Sequence, residues 1–504
     1  MPNKTIIVKN TFILYFRMIL IMGVTLYTSR VVLDVLGVND YALYNVIFGL
    51  IGILSFLNGT LSIGTSRFLT YELGANNKEK LQKTFSTALV THVVLALLIL
   101  LIGETVGLWY VNNVLVVDSN RQFAAHVVYQ ISILSTCISI LQVPYTSAII
   151  AHEKMSIYAY IGIFEAIAKL SVIYLLVVCS VDRLILYAFL TMLILLIVMI
   201  TYIVYCSCLF SETCTIVRPN KQIFREILKF SGWNILANLS NTLSAEGVIL
   251  LFNIFFQPVV VAAQGITKQI SSALMSFVNN IRIAVNPQIT KLYAAGDFDE
   301  SKQLTIKSAE LIFYLLLLLG CPCIILMPTL LNIWLVDVPD YAVPFSQLIV
   351  IQNIFDNFNA SFYTPMTAAN KIRKNSIAAA VMCIGQFLLL YILFKSDFGP
   401  LWARYLGLFS CVLFSYIIKP YILYKDINYT FKELYACIIQ SLKVSVIIAV
   451  PSLVLYFYVP QNSFVNVVII GILSVLIVLV TILMCMDRDT RNGIVRILRL
   501  KLKI

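Results

Sequence analysis

The sequence predicts an all-α polytopic membrane protein: two six-helix bundles in tandem, followed by two further helices. Three observations predict it. Of 504 residues, 60% are hydrophobic and only 12% charged, whereas soluble domains carry roughly 25% charged residues. The apolar runs repeatedly reach the ~20 residues of helix that cross a hydrocarbon core of roughly 30 Å. Finally, one polar stretch occurs twice. RFLTYELGANNKEKLQKTF, from Arg67 to Phe85, returns as QITKLYAAGDFDESKQLTI from Gln288. A shift of 221 positions pairs Ala75 with Gly296, Asn76 with Asp297 and Glu79 with Glu300. Each copy follows two hydrophobic spans and precedes a third, which is the pattern of a duplicated half.

About fourteen spans are expected, near residues 11–36, 41–66, 84–107, 123–149, 157–179, 184–209, 232–255, 258–286, 306–330, 343–368, 376–395, 401–424, 437–458 and 464–486. The first has no small-residue cleavage site behind it, so it is expected to be an uncleaved helix and not a signal peptide. Trp109 and Trp334 close the third span of each half, where amphipathic rings favour the headgroup zone. The resulting division is 1–210 for a first lobe, 211–231 for a linker, 232–430 for a second lobe, and 431–504 for two extra spans with a basic tail. That tail, RDTRNGIVRILRLKLKI from Arg488, has the composition of an amphipathic helix on an anionic leaflet.

Charge fixes the expected orientation. Loops on one side hold 24 lysines and arginines, whereas the opposite loops hold 3: Arg121, Arg183 and Lys395. The positive-inside rule then puts both termini in the cytoplasm. Six spans separate the two copies of the polar stretch, so both halves enter the membrane in the same direction, as a parallel repeat. The formal net charge of +12 follows from these cytoplasmic loops and does not indicate nucleic-acid binding. The 11 cysteines sit mostly in apolar spans without metal-like spacing and read as free thiols.

Function rests on the ionic residues inside the spans. Nine basic residues lie within spans or at their edges: Arg17, Arg30, Arg67, Lys169, Lys268, Arg282, Arg404, Lys419 and Lys443. A charge at mid-membrane costs about 2.5–3.5 kcal/mol on insertion scales, so such residues face a cavity or a partner. Arg67, Lys419 and Lys443 lie near span ends and are expected to snorkel to the interface. Lys268 and Arg282 stand 14 apart, close to four turns, and share one helix face. Lys169 follows Glu165 at i+4, so either a local pair forms or Lys169 faces the cavity. Glu165, Glu246 and Asp356 are the interior acids, with Asp34, Glu104 and Glu310 nearer the ends.

Cations outnumber acids in the interior, which suits an anion; arginine's planar fork matches phosphate. Asparagines and glutamines concentrate in the second half, among them Asn234, Asn238, Asn241, Gln264, Gln269, Asn279, Asn280, Asn353, Asn357 and Asn359. They would hydrogen-bond sugar hydroxyls or join helices. His92, His126 and His152 are not spaced for a metal or a triad, and no glycine-rich phosphate loop is present, so no enzyme and no ATP-driven pump is expected.

The first span with Arg17, then SRVVLDVLGVNDYALYNVIFGLIGILSFLNGTLSIGTSRF, NIWLVDVPDYAVPFSQLIVI from Asn332 and TAANKIRKNSIAA from Thr367, resemble the polysaccharide-biosynthesis (O-antigen, Wzx-type) flippases of the MOP exporter superfamily. The resemblance implies a MATE-like, bilobed fold with two added C-terminal helices, as in the lipid II flippase branch. It implies a substrate too: undecaprenyl-pyrophosphate-linked oligosaccharide, moved from the inner to the outer leaflet of a bacterial cytoplasmic membrane by alternating access. Arg17 stands where the family's pyrophosphate-binding arginine is expected. Cavity logic adds Arg30, Lys268, Arg282, Lys169 and Arg404. The second reading is a cation-coupled multidrug exporter of the same fold, with Glu246 and Asp356 as a Na⁺ or H⁺ coupling pair. No other cofactor is expected. The expected partners are the lipid-linked oligosaccharide, membrane lipids and other polysaccharide assembly proteins, with the chain itself a monomer.

Overall fold

The structure, a computed structural model, describes residues 4–52, 65–66, 68–69, 72–73, 77–152, 154–178, 181–215, 217–369, 371–427, 429–458 and 464–485. Within these, side chains are not described for 4–17, 155, 177–178, 223, 226–237, 241, 280, 283–284, 287, 291, 294 and 358–359. Arg17, Asn234, Asn241, Asn280 and Asn359 therefore lie outside the description at side-chain level, and Arg67, Ala75, Asn76 and the basic tail lie outside it altogether.

The described chain is helical throughout. α1 is Lys4–Gly52 and α2 is Lys78–Asn113; then follow α3 Gln122–Ala151, α4 Met155–Val178, α5 Arg183–Leu209, α6 Lys221–Phe255 and α7 Pro258–Ala295. α8 is Phe298–Trp334 and α9 Ala342–Ser361, followed by a short helix Tyr363–Ala368; α10 is Arg373–Lys395, α11 Trp402–Ile427, α12 Phe431–Tyr458 and α13 Phe464–Cys485. Ten helices among the described residues are long and apolar enough to cross a membrane. Their outward faces carry the residues that lipid would cover, such as Leu97, Leu101 and Val106 on α2, and Val446, Val450 and Phe457 on α12.

The two spans expected at 11–36 and 41–66 form one helical run, broken at Gly37, where φ is 75°. Only glycine adopts that conformation at no steric cost. Moving 221 positions along puts Gly37 on Pro258, the first residue of α7 after the break from α6. The same shift carries the last residue of α2, Asn113, onto the last residue of α8, Trp334. The helix starts also correspond. Asn77 caps α2, its Oδ1 accepting the Lys80 N–H at 3.0 Å with Glu79 in the first turn, and α8 begins with Asp299 and Glu300 in its first turn. Acidic side chains there complement the positive end of the helix dipole.

Contacts gather the chain into two units. The first comprises residues up to Gln269 with Leu335–Ala342 and Ser376–Ala403. Within it α3 packs on α5 and α2, α1 packs on α4 and α6, and Ile47, Val128, Tyr129, Leu184 and Ala188 form the core. Tyr129 donates to the carbonyl of Gly103 at 2.6 Å, at the π turn Gly103–Gly107 of α2. At one end of this unit Arg121 bonds both Asp40 and Asp182, joining the segment after Gly37 to the starts of α3 and α5. Burial works against the Asp182 carboxylate, but hydrogen bonds from Arg121 and from the N–H groups of Ile185 and Leu184 hold it below the usual carboxylate range.

The second unit comprises Ile270–Trp334, Val343–Asn375 and the residues from Arg404 onward. Here α8 packs on α12 and α13. α12 opens with a capping box: the Glu433 N–H reaches Thr430 Oγ1 at 3.2 Å, and the Thr430 N–H reaches Glu433 Oε2 at 2.8 Å. The described cysteines are free.

Candidate functional site

The first group of interior charges lies in the first unit, where α1, α6 and the start of α7 meet. Glu246 of α6 is buried and its Oε1 accepts from Lys268 of α7. α1 makes room for it with two glycines. A Cβ at Gly49 would lie 3.3 Å from Glu246 Oε2, and one at Gly52 would lie 3.4 Å from its Cδ. Gly265 on α7 does the same for α1, since a Cβ there would lie 2.9 Å from Asn45 Nδ2. Glu246 Oε2 has no hydrogen-bond partner among the described residues. Its desolvation is therefore only half compensated, and the charge depends on Lys268.

The second group lies in the second unit and is built on an asparagine ladder between α7 and α9. Asn353 donates to Ser271 Oγ at 2.8 Å, and Asn357 donates to Met275 Sδ at 3.3 Å. Arg282, two turns further along α7, donates through Nη2 to Asn357 Oδ1 at 2.6 Å. The spacing explains the ladder, because Ser271, Met275 and Arg282 lie on one face of α7, and Asn353 and Asn357 are i and i+4 on α9. These two asparagines thus join helices, at about 0.6 kcal/mol for an average interhelical bond. Arg282 is oriented by a neutral amide and makes no ion pair among the described residues. Its Nε is buried without a partner among them. Asp356, next to Asn357, exerts its charge on both Arg282 and Lys419.

The remaining candidates have different surroundings. Lys169 is held by Glu165 on its own helix at 2.6 Å. Arg404 is buried, its guanidinium 5.4 Å from the centre of the Phe345 ring. Arg30 is half-buried on α1. The structure places each coupling candidate beside a cation, Glu246 with Lys268 and Asp356 near Arg282 and Lys419.

Lys419 corrects an expectation. It does not snorkel to the interface; it is 2% exposed, and its Nζ donates to Asn375 Oδ1 at 2.7 Å. The reason is local: α11 contains a π turn, Phe414–Ile418, immediately before it, which re-aims the following side chains inward. Beside these groups, α8, α9, Tyr405 of α11 and α12 enclose an apolar groove of about 500 Å³, lined by Leu317, Ile351, Phe355, Ile448 and Leu453 among others.

No protein-family model and no curated sequence matches the chain. Solved structures do. An inward-facing multidrug-resistance MATE transporter of the MOP superfamily superposes with a TM-score of 0.65 over 81% of this chain and 96% of its own, at 12% identity. The lipid II flippase MurJ, in an inward closed conformation, gives 0.64 over 94% and 98%, at 14% identity. A MOP-superfamily transporter from Pyrococcus furiosus, described as having a binding pocket of reverse polarity, gives 0.62 over 84% and 97%, at 14% identity. The fold is that of the MOP-superfamily transporters. The MOP fold accounts for the parallel correspondence of helix ends, and the MurJ match covers more of this chain than the two transporter matches do.

Proposed function

We propose that the protein is a flippase that moves polyprenyl-pyrophosphate-linked oligosaccharide repeat units, of O-antigen or capsule type, across a bacterial cytoplasmic membrane. The observation that carries this reading is the charge state of Arg282: a guanidinium inside a membrane helix, aimed by Asn357 and left without a carboxylate partner among the described residues. A pyrophosphate supplies the bidentate acceptor that such a fork lacks. The interior cations exceed the acids, which favours an anionic substrate over a cationic drug. In this reading Arg17 and Arg30 of α1 join Arg282, Lys268 neutralises Glu246, and the apolar groove offers surface for an isoprenoid tail. Lobes 1–210 and 232–430, joined by 211–231 and followed by 431–504, would alternate access with both termini in the cytoplasm.

The test is a deletion strain complemented with Arg282→Ala or Arg17→Ala. Each variant is expected to insert normally while surface polysaccharide is lost; normal display with both variants would refute the assignment. The cation-coupled exporter reading draws on Glu246, whose second oxygen has no partner among the described residues. It predicts drug hypersusceptibility of the deletion strain with polysaccharide intact.

A further inference from the structure

Lys419 is an ionisable group that the proposed anion site does not use. At 2% exposed it is surrounded by protein and not by lipid. Taking an ammonium out of water costs several kcal/mol even after relaxation, and this pocket compensates it weakly. It offers one amide oxygen, that of Asn375 at 2.7 Å, and the ring faces of Tyr363 at 5.4 Å and Phe414 at 5.9 Å. Of three N–H donors on an ammonium, one is hydrogen-bonded. Lys419 makes no ion pair among the described residues, and Asp356 of α9 acts on it only through space. A lysine kept charged for stability would be met by a contacting carboxylate. An amide oxygen accepts equally from an ammonium and from a neutral amine, so this pocket holds either protonation state without rearranging its only hydrogen bond.

The backbone adds a second observation. The N–H of Lys419 closes the π turn onto the carbonyl of Phe414. Such a turn holds one residue more than an α turn, and losing or moving it rotates the residues beyond by about 100°. Tyr435 of α12 donates at 3.4 Å to the carbonyl of Tyr416, inside that turn. The neighbouring charges are largely committed elsewhere. Lys374 at the start of α10 pairs with Asp426 at 2.6 Å, and Glu433 of α12 is held in its capping box. Arg373 opens α10 beside Lys374 and is exposed, and the only ring hydroxyl at the pocket is that of Tyr363. That leaves Asp356 as the one acid acting on Lys419.

We propose that Lys419 is a proton-binding site of the second unit, separate from the anion site at Arg282, and that its protonation sets the register of the π turn and the rotation of Lys419–Ile427. This goes beyond the flippase reading and is tested without any carrier lipid. The measurement is hydrogen–deuterium exchange of the full-length protein in phospholipid nanodiscs, read as protection factors across 411–427 over roughly pH 5 to 9. The wild type is expected to show one cooperative change in protection within 414–427. Lys419→Met is expected to abolish it, and Lys419→Arg, always charged, to fix the low-pH pattern throughout. Persistence of the transition in Lys419→Met, or its absence from the wild type, overturns the proposal. Should Lys419→Met fail to fold, Lys419→Arg and Asp356→Asn decide: an Arg variant that still titrates, or an Asn variant with an unmoved midpoint, refutes it. Loss of glycan display in Arg282→Ala is a separate readout, so either reading can fail while the other stands.

Discussion

Replacing Lys268 by methionine removes the only hydrogen-bonding partner of Glu246 among the described residues while keeping the length of the side chain. The carboxylate that remains has a side chain 11% exposed, pressed against Gly49 and Gly52 of α1. Stranding a fully buried partner costs about 3–5 kcal/mol, whereas an exposed pair is worth about 0–1 kcal/mol. The lysine is 50% exposed and the glutamate nearly buried, so the single change should cost about 2 kcal/mol. Glu246→Gln removes the charge that needs the partner. The double variant Glu246→Gln/Lys268→Met should therefore recover most of that loss, giving a coupling energy of about 1.5 kcal/mol. Thermal unfolding of the four proteins in one detergent, followed by tryptophan fluorescence, reads the cycle. A Lys268→Met protein as stable as wild type, or a double variant whose loss is the sum of the singles, would refute the pairing argument.

Other changes test neighbouring features. Gly49→Val brings a side chain into the 3.3 Å space over Glu246 Oε2 and should destabilise by about 1–3 kcal/mol; an unchanged unfolding midpoint would count against close packing of α1 on α6. Arg282→Lys keeps the charge but loses the fork, so surface polysaccharide should fall sharply while the unfolding midpoint moves little; full display would mean that charge alone suffices. Asp182 is held below its usual range by Arg121 and two backbone N–H groups, so its contribution is complete above the ordinary carboxylate range and disappears as pH falls through the depressed value. Asp182→Asn should therefore be less stable than wild type near neutrality and converge with it in acid; parallel curves would contradict the clamp.

Much of the fold was legible because it rests on hydropathy and turn chemistry. The break between the first two spans lies at Gly37, and its counterpart in the second half is Pro258, two residues that interrupt helices for different reasons. The Lys169–Glu165 pair was legible as well, since both partners sit on one helix four residues apart. The Lys268–Glu246 pair joins two helices across the turn at Gln257, and only the packing of α6 on α7 brings the two together. Lys419 was misjudged because its distance from the span end suits snorkelling equally well. What turns it inward is a π turn without a sequence signature and an asparagine on another helix. The asparagines of α9 looked ready for sugar, but Asn353 and Asn357 are occupied by Ser271, Met275 and Arg282.

The central claim is that a guanidinium on α7 receives a pyrophosphate. The most direct measurement reconstitutes the protein in liposomes with a fluorescent polyprenyl-pyrophosphate oligosaccharide and follows the glycan's arrival in the opposite leaflet with a membrane-impermeant glycosidase. The wild type should translocate it and discriminate against a neutral polyprenyl oligosaccharide, and Arg282→Ala should lose that discrimination. Equal transport of both lipids by the wild type, or unaltered selectivity in Arg282→Ala, would contradict the account.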